Sequence, residues 1–376
     1  MPAVSDATWS SEGTTPDAIE AALRGLLAER HAENGGFVPA RALNMIAFVD
    51  REWSGEIANR LRGVGRYHAS RLIVFSYEPG RERLDARVSV ASEGDPRPGE
   101  LSLLRETVVV EIGDRHLDDL YTIADPLVVS DLPTLLWSPH GHHEVVQELL
   151  GLAQAVLLDS VDEPDPHAAI DRARELAAHA YIVDLAWLRS TPWRERIATA
   201  FDPPAMRPEL HTIEALTVRH HPDSGIAAML LVGWLAARLG WETGPLTAHG
   251  HELSGEARGA HAPGSAAPQD ASHPLRDAHA PQPQSIALCL QAAPELQVRG
   301  LAGLELRTAS GRLLRLDRGP GGLHAYSRDL RGKERRWTIL GASRGEAGIL
   351  GEGIRQALLR DPTYAPALAA AARMAS

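Results

Sequence analysis

Cysteine and lysine are almost missing from this sequence. Of 376 residues, Cys289 is the single thiol and Lys333 the single ammonium. One cysteine excludes an intramolecular disulfide and any cysteine-built zinc site. One lysine removes Schiff-base and P-loop chemistry almost everywhere, because both need an ammonium group. Nearly every cation is therefore a guanidinium. A long apolar run is lacking too: the longest, 226–237, falls short of the roughly 20 residues that span a bilayer. Residues 1–10 carry neither a basic n-region nor an apolar h-region, and so do not read as a signal peptide. Basic charge is not in excess either. Lys plus Arg total 38 against 49 Asp plus Glu, a formal charge of −11, without the electrostatic footprint of a nucleic-acid binder. These absences predict a cytoplasmic protein with neither nucleic acid nor membrane as partner.

What is present is ordinary globular material, 44% hydrophobic and 23% charged, in a length that accommodates two to three domains. Residues 1–35 read as a polar tail and a helix, with Asp17 as cap and Ile19, Leu23, Leu26 and Leu27 on one face. Residues 36–180 read as an α/β domain with a mixed sheet. The β-rich runs 42–49 and 72–77 flank helical spacing at 57–61, the pattern of a parallel βαβ unit. Further strands are expected at 87–91, 107–112 and 155–159. Asp165 and Pro166 open a helix as cap and first helical residue. Residues 181–376 read as an α+β domain rich in short strands. It contains an apolar helix at 224–239 and a composition collapse over 243–284 into Gly, Pro, Ala, His and Ser. Such a segment buries too little surface to offset its ordering entropy, so it reads as a flexible insertion. The fold class is α/β, with α+β character in the C-terminal part.

A search for chemistry finds no good active site. Gly341-Ala342-Ser343-Arg344-Gly345 fits the G-x-S-x-G nucleophile elbow, but that fold needs its histidine downstream, and His324 is the last one. Ser343 and Glu346 read better as a capping box. His140, His142 and His143 lie beside Glu144, in a Pro/Gly turn that favours a solvated loop over a metal centre. Gly63-Val64-Gly65 precedes a strand, the wrong order for a dinucleotide loop. No cofactor or metal is expected. The C-terminal stretch concentrates cations, from Arg307 through Arg328, Arg331, Lys333, Arg335 and Arg336. It reads first as a solvated sheet face and second as a surface for an acidic partner. Tryptophan outnumbers phenylalanine, 8 to 4, and Trp137, Trp187, Trp193, Trp234 and Trp241 crowd one third of the chain.

The densest block is Asp184-Leu185-Ala186-Trp187-Leu188-Arg189-Ser190-Thr191-Pro192-Trp193-Arg194. It resembles the DLAW-x-R-x-TPWR signature of the glucose-6-phosphate dehydrogenase assembly protein OpcA family. His68-Ala69-Ser70-Arg71 resembles that family's H-P-S/C-R element, with Ala69 where proline is common. Asp131-Leu132-Pro133 with Trp137 resembles its D-L-P…W segment, and Asp159-Ser160 its D-S strand end. The resemblance runs over roughly 40–359. It implies a non-catalytic assembly factor and allosteric activator of glucose-6-phosphate dehydrogenase, feeding the oxidative pentose phosphate pathway. Some members are regulated through cysteines, and a lone Cys289 gives this chain no internal disulfide switch. Trp187, Arg189, Trp193 and Arg194 are the expected partner-binding residues, although Asp184 and Trp187 read at least as well as scaffold. The alternative is an enzyme or sensor acting on a sugar phosphate.

Overall fold

The computed structural model describes residues 7–33, 41–64, 70–93, 103–259, 284–340 and 345–376. As far as Asp184 the elements are β1 (Ala7–Ser11), α1 (Pro16–Glu33), β2 (Leu43–Asp50), α2 (Ser54–Val64), β3 (Ser70–Tyr77), β4 (Asp85–Glu93), β5 (Leu103–Ile112), α3 (Leu120–Ala124), β6 (Thr134–Trp137), α4 (His143–Leu149), β7 (Ala155–Leu158), α5 (Pro166–Ala177) and β8 (Tyr181–Asp184). The eight strands form one sheet in the order β1-β4-β5-β3-β2-β6-β7-β8. From β5 to β8 across the sheet every pair is parallel, while β4 and β1 add antiparallel strands at one edge. β2 is buried from Leu43 to Val49 and apolar there except for Asn44, as expected of a parallel strand covered on both faces. The expected βαβ unit is present, with β2 and β3 paired in parallel. The polar tail holds a strand, because Ala7–Ser11 pairs along β4. α1 buries Ile19, Leu23 and Leu26. Its first turn is bonded by the Thr15 hydroxyl, which accepts from Ala18 N at 3.3 Å, in place of the expected Asp17. Asp165 does cap α5, accepting from His167 N at 3.1 Å.

The chain continues through α6 (Leu185–Arg189), α7 (Thr191–Phe201), β9 (Ile213–His220), α8 (Gly225–Leu239), β10 (Glu242–Thr243), β11 (Thr247–His249), β12 (Glu252–Gly259), β13 (Gln284–Ala292), β14 (Leu301–Thr308), β15 (Leu313–Gly319), β16 (Gly322–Arg328), β17 (Glu334–Leu340), α9 (Gly345–Leu359) and α10 (Tyr364–Ala375). A nine-stranded sheet runs β10-β12-β13-β9-β14-β15-β16-β17, with β11 on β12. Only β13 and β9 pair in parallel. α8 is buried on almost every side and stops at Gly240, whose φ of 68° is the left-handed C-cap conformation.

Two compact units emerge. The first comprises Met1–Asp159, Ala173–Leu185 and Gly345–Arg360, and the second Ser160–Arg172, Ala186–Arg344 and Asp361–Ser376. Each unit thus draws on residues from both sides of position 181. The first is an α/β sandwich around the parallel sheet. The second sets α8 and α10 against the mixed sheet, which makes the protein α/β with an α+β second unit. The segment 243–284 departs from its reading as an insertion. Residues 252–259 form a full strand between β10 and β13, and Ala257 in its middle is fully buried. Small side chains suit a strand held by neighbours on both edges. Residues 260–283 lie outside the described residues, as do 65–69 and 341–344, which carry the His68-Ala69 pair and the G-x-S-x-G serine.

Candidate partner-binding site

The block 184–194 folds into the end of β8, all of α6 and the first turn of α7. α7 starts at Thr191, with Ser190 as its N-cap residue and Pro192 in the first turn. Ser190 Oγ turns back to donate to Trp187 O at 2.7 Å. That carbonyl also accepts from Arg194 Nη2 at 3.2 Å. Arg194 Nε donates to Ser190 Oγ at 3.1 Å and Nη2 to Thr191 Oγ1 at 2.9 Å. These bonds hold the guanidinium over the Trp187 indole, its Cζ 3.6 Å from the ring centroid, a cation–π contact.

The cluster closes through Asp361, just before α10. Trp187 Nε1 donates to Asp361 Oδ2 at 2.8 Å, and Arg194 Nη1 lies 3.8 Å from the same oxygen. The other carboxylate oxygen accepts from Thr363 N at 2.8 Å and Thr363 Oγ1 at 2.6 Å. Tyr364 meets the Trp187 ring edge-on at 5.7 Å. Burial pushes the Arg194 pKa down to about 10, with Asp361 opposing the shift. Burial also works to raise Asp361, yet the bonds from Thr363 and Trp187 and the charge of Arg194 hold its carboxyl below the usual range. Sequence reasoning missed Asp361. Asp361-Pro362-Thr363 marks the start of α10, with Thr363 as its N-cap residue, but carries no sign of the contact with Trp187.

Trp187 and Trp193 are 2% and 3% exposed, so in this conformation neither indole offers a partner a face. Trp193 lies with Ile197 and Phe201 on the buried side of α7. Arg189 does not join Arg194. It is half-buried and lines a small cavity with Ser190, Gly300 and Arg318. Arg318 donates from Nε to Leu301 O at 2.9 Å. Its pKa is lowered by burial and by the like charge of Arg189. The structure therefore brings Trp187 and Arg194 together and sets Arg189 apart beside a second guanidinium.

Arg71 of the His68–Arg71 element and Asn44 of β2 have bracing roles in the first unit. Arg71 pairs with the buried Glu106 at 2.7 Å and donates to Leu127 O at 2.9 Å, while Arg41 bonds the second oxygen of Glu106. Buried Asn44 receives Val129 N at 2.9 Å and donates to Val129 O at 3.0 Å. It thereby ties β2 to the loop that carries Asp131-Leu132-Pro133. The histidine turn is ordered by contacts that the solvated-loop reading left out. His142 Nε2 lies 2.8 Å from Asp50 Oδ1, and His140 Nδ1 accepts from Asp50 N at 3.3 Å. Burial lowers the His140 pKa. Among the described residues no group of three His, Cys, Asp or Glu could hold a metal ion. None of the described helices is long and apolar enough to cross a membrane.

Residues 62–175 match the family described as the N-terminal domain of the glucose-6-phosphate dehydrogenase subunit. Residues 180–368 match its companion, described as the C-terminal domain of that same glucose-6-phosphate dehydrogenase subunit. Among curated relatives, a protein of Synechococcus elongatus named as an OxPP cycle protein, OpcA, is 30% identical over 141 residues, covering 36% of this chain and 32% of that protein. Its namesake in Nostoc punctiforme is 32% identical over 120 residues, 31% of this chain and 26% of that one. The aligned residues thus span under a third of these relatives' length. Among solved structures, apo scyllo-inositol dehydrogenase from Lactobacillus casei is similar at a TM-score of 0.46 and 14% identity, over 89% of this chain and 96% of that one. A Gfo/Idh/MocA family oxidoreductase from Vibrio cholerae gives 0.42 and 11%, over 88% and 95%. Likenesses this slight transfer no chemistry.

Proposed function

We propose that this chain, which belongs to the OpcA family of glucose-6-phosphate dehydrogenase assembly proteins, is a non-catalytic assembly factor and allosteric activator of glucose-6-phosphate dehydrogenase. In this reading it works in the cytoplasm and supports the oxidative pentose phosphate pathway. The observation that carries the reading is the pair of family matches, which between them take in all of the second sheet and, of the first, every strand but β1 and β2. The bonding around Trp187 and Arg194 supports it in one respect: the family's densest block forms a rigid brace that holds the start of α7 and the approach to α10 in place.

An activator works by binding the active state of its target more tightly than the inactive one. A coupling of about 1–3 kcal/mol changes an affinity roughly 5- to 150-fold. Titrating the purified chain into the cognate dehydrogenase while following NADPH formation tests this. The expected result is a saturable rise in rate and no NADPH from the chain alone. A flat response at every substrate concentration would remove the reading.

A further inference from the structure

The β16–β17 hairpin is unlike the rest of the molecule. β17 is the last strand of its sheet, and among the described residues it pairs only with β16. Its outer edge therefore presents backbone N–H and C=O groups with no ladder partner among the described residues. Natural sheets blunt such edges, because an open edge is a template for another strand. Here charges share the edge strand with apolar surface: Trp337 and Leu340 on β17, with Leu330 in the turn before it, are three of the eight large hydrophobic residues exposed among the described residues, Leu340 at 78%. A groove of about 620 Å³ crosses β15, β16 and β17 and ends at this edge strand, lined by Arg315, Asp317, His324, Tyr326, Arg336 and Trp337.

The charge of the hairpin opposes that of the chain. Residues 322–340 hold five cations, Arg328, Arg331, Lys333, Arg335 and Arg336, against Asp329 and Glu334, in a molecule of net charge −11. The two acids are occupied within the hairpin. Asp329 accepts from the backbone N–H groups of Arg331 and Lys333, at 2.9 and 3.0 Å. Glu334 lies 3.9 Å from Arg336 and is hydrogen-bonded to Tyr326. Arg336, 80% exposed, sits 5.5 Å from the Tyr326 ring centroid. Exposed Trp, Tyr and Arg around a groove is the composition of a binding hot spot.

We propose that the outer edge of β17 receives an extended, acidic segment of a partner protein by strand addition. Building on the function proposed above, that segment belongs to glucose-6-phosphate dehydrogenase. The open ladder supplies main-chain hydrogen bonds, and the exposed Arg336 and Trp337 of β17, on opposite faces of the strand, meet alternate side chains of the incoming strand. The guanidiniums select carboxylates among them. A second copy of this chain is the poorer occupant. Joining two β17 edges would bring together two hairpins that each hold five cations and only two acids, both acids already bonded within their own hairpin, so the net charges repel.

The test uses the full chain and the purified cognate dehydrogenase, with Kd measured at low and at high salt. The variants are Arg335→Glu/Arg336→Glu, Trp337→Ala and the conservative Arg335→Lys/Arg336→Lys, each first shown to keep the parent Tm. The charge reversal is expected to weaken binding at least 30-fold and Trp337→Ala about tenfold, while the lysine pair stays within threefold. In the complex, amide exchange in 334–340 should slow relative to the free chain. Binding by the reversal variant within twofold of the parent, or unchanged exchange in 334–340, overturns the hairpin assignment while leaving the activator reading standing. Failure of the parent chain to bind the dehydrogenase removes both. A parent dimer that Trp337→Ala dissociates would put a second copy on this edge and overturn the proposal.

Discussion

Asp361 concentrates the energetics of the tryptophan–arginine cluster in one carboxylate. It answers the Trp187 N–H, the Arg194 guanidinium and the Thr363 N–H and hydroxyl together. Removing it strands a largely buried cation and a buried indole N–H, and breaking a buried pair on one side costs about 3 kcal/mol. Asp361→Ala is therefore expected to lower the urea midpoint strongly. Arg194→Met combined with it should cost less than the sum of the two changes, since Met leaves no charge to strand. The same carboxyl titrates lower in the folded chain than in the unfolded one, so the folded state binds fewer protons. Its contribution is present above about pH 4 and is lost as pH falls toward the folded value. The gap in stability between the parent and Asp361→Asn should close over that range, as followed by urea unfolding at successive pH values. Trp187 and Arg194 were legible in the sequence as a pair worth naming. The acid that holds them was not, because it lies 174 positions from Trp187 and no local pattern reaches that far.

At the scale of the element, local chemistry was the readable part. The cap at Asp165, the parallel run of β2 and the apolar all-round character of α8 follow from the residues themselves. β12 did not, because Gly, Ser, Ala and Glu in 252–259 have little intrinsic strand preference. Its ladder with β13 makes it a strand, a tertiary effect absent from the local sequence. β1 was hidden in the same way by its pairing with β4. α8 shows the opposite case, a local rule overridden by packing. Gly233 sits mid-helix, where Ala would ordinarily be better by up to about 1 kcal/mol. A Cβ there would collide with the Ala367 carbonyl of α10. Overpacking of this kind typically costs about 1–3 kcal/mol, so the clash outweighs the propensity. Gly233→Ala should be destabilising by about 1–2 kcal/mol in urea unfolding, whereas Gly25→Ala in α1, with nothing near its Cβ position, should be neutral or stabilising.

For the whole molecule, the fold class was legible because strand and helix periods alternate, and the family because one eleven-residue block is distinctive. The division into units was not, since it depends on chain returns that no periodicity records. α9 belongs to the first unit and α10 to the second. α9 packs on α2 and on the strands β7 and β8, and α10 packs on α8, handing its Met374 carbonyl to Leu246 N at 2.8 Å. A chain ending at Leu340 therefore lacks a layer in each unit. Its unfolding in urea is expected to lose cooperativity for both sheets, read by far-UV circular dichroism.

That return of the chain also governs how the protein comes into being. During synthesis, the strands of the first sheet are all made by residue 184 but wait for a helix that emerges some 160 residues later. At translation speeds of about 5–20 residues per second, the delay is on the order of ten seconds or more. Throughout it, the apolar surface of α2, β7 and β8 that α9 will cover stands open on the nascent polypeptide, a natural target for chaperones.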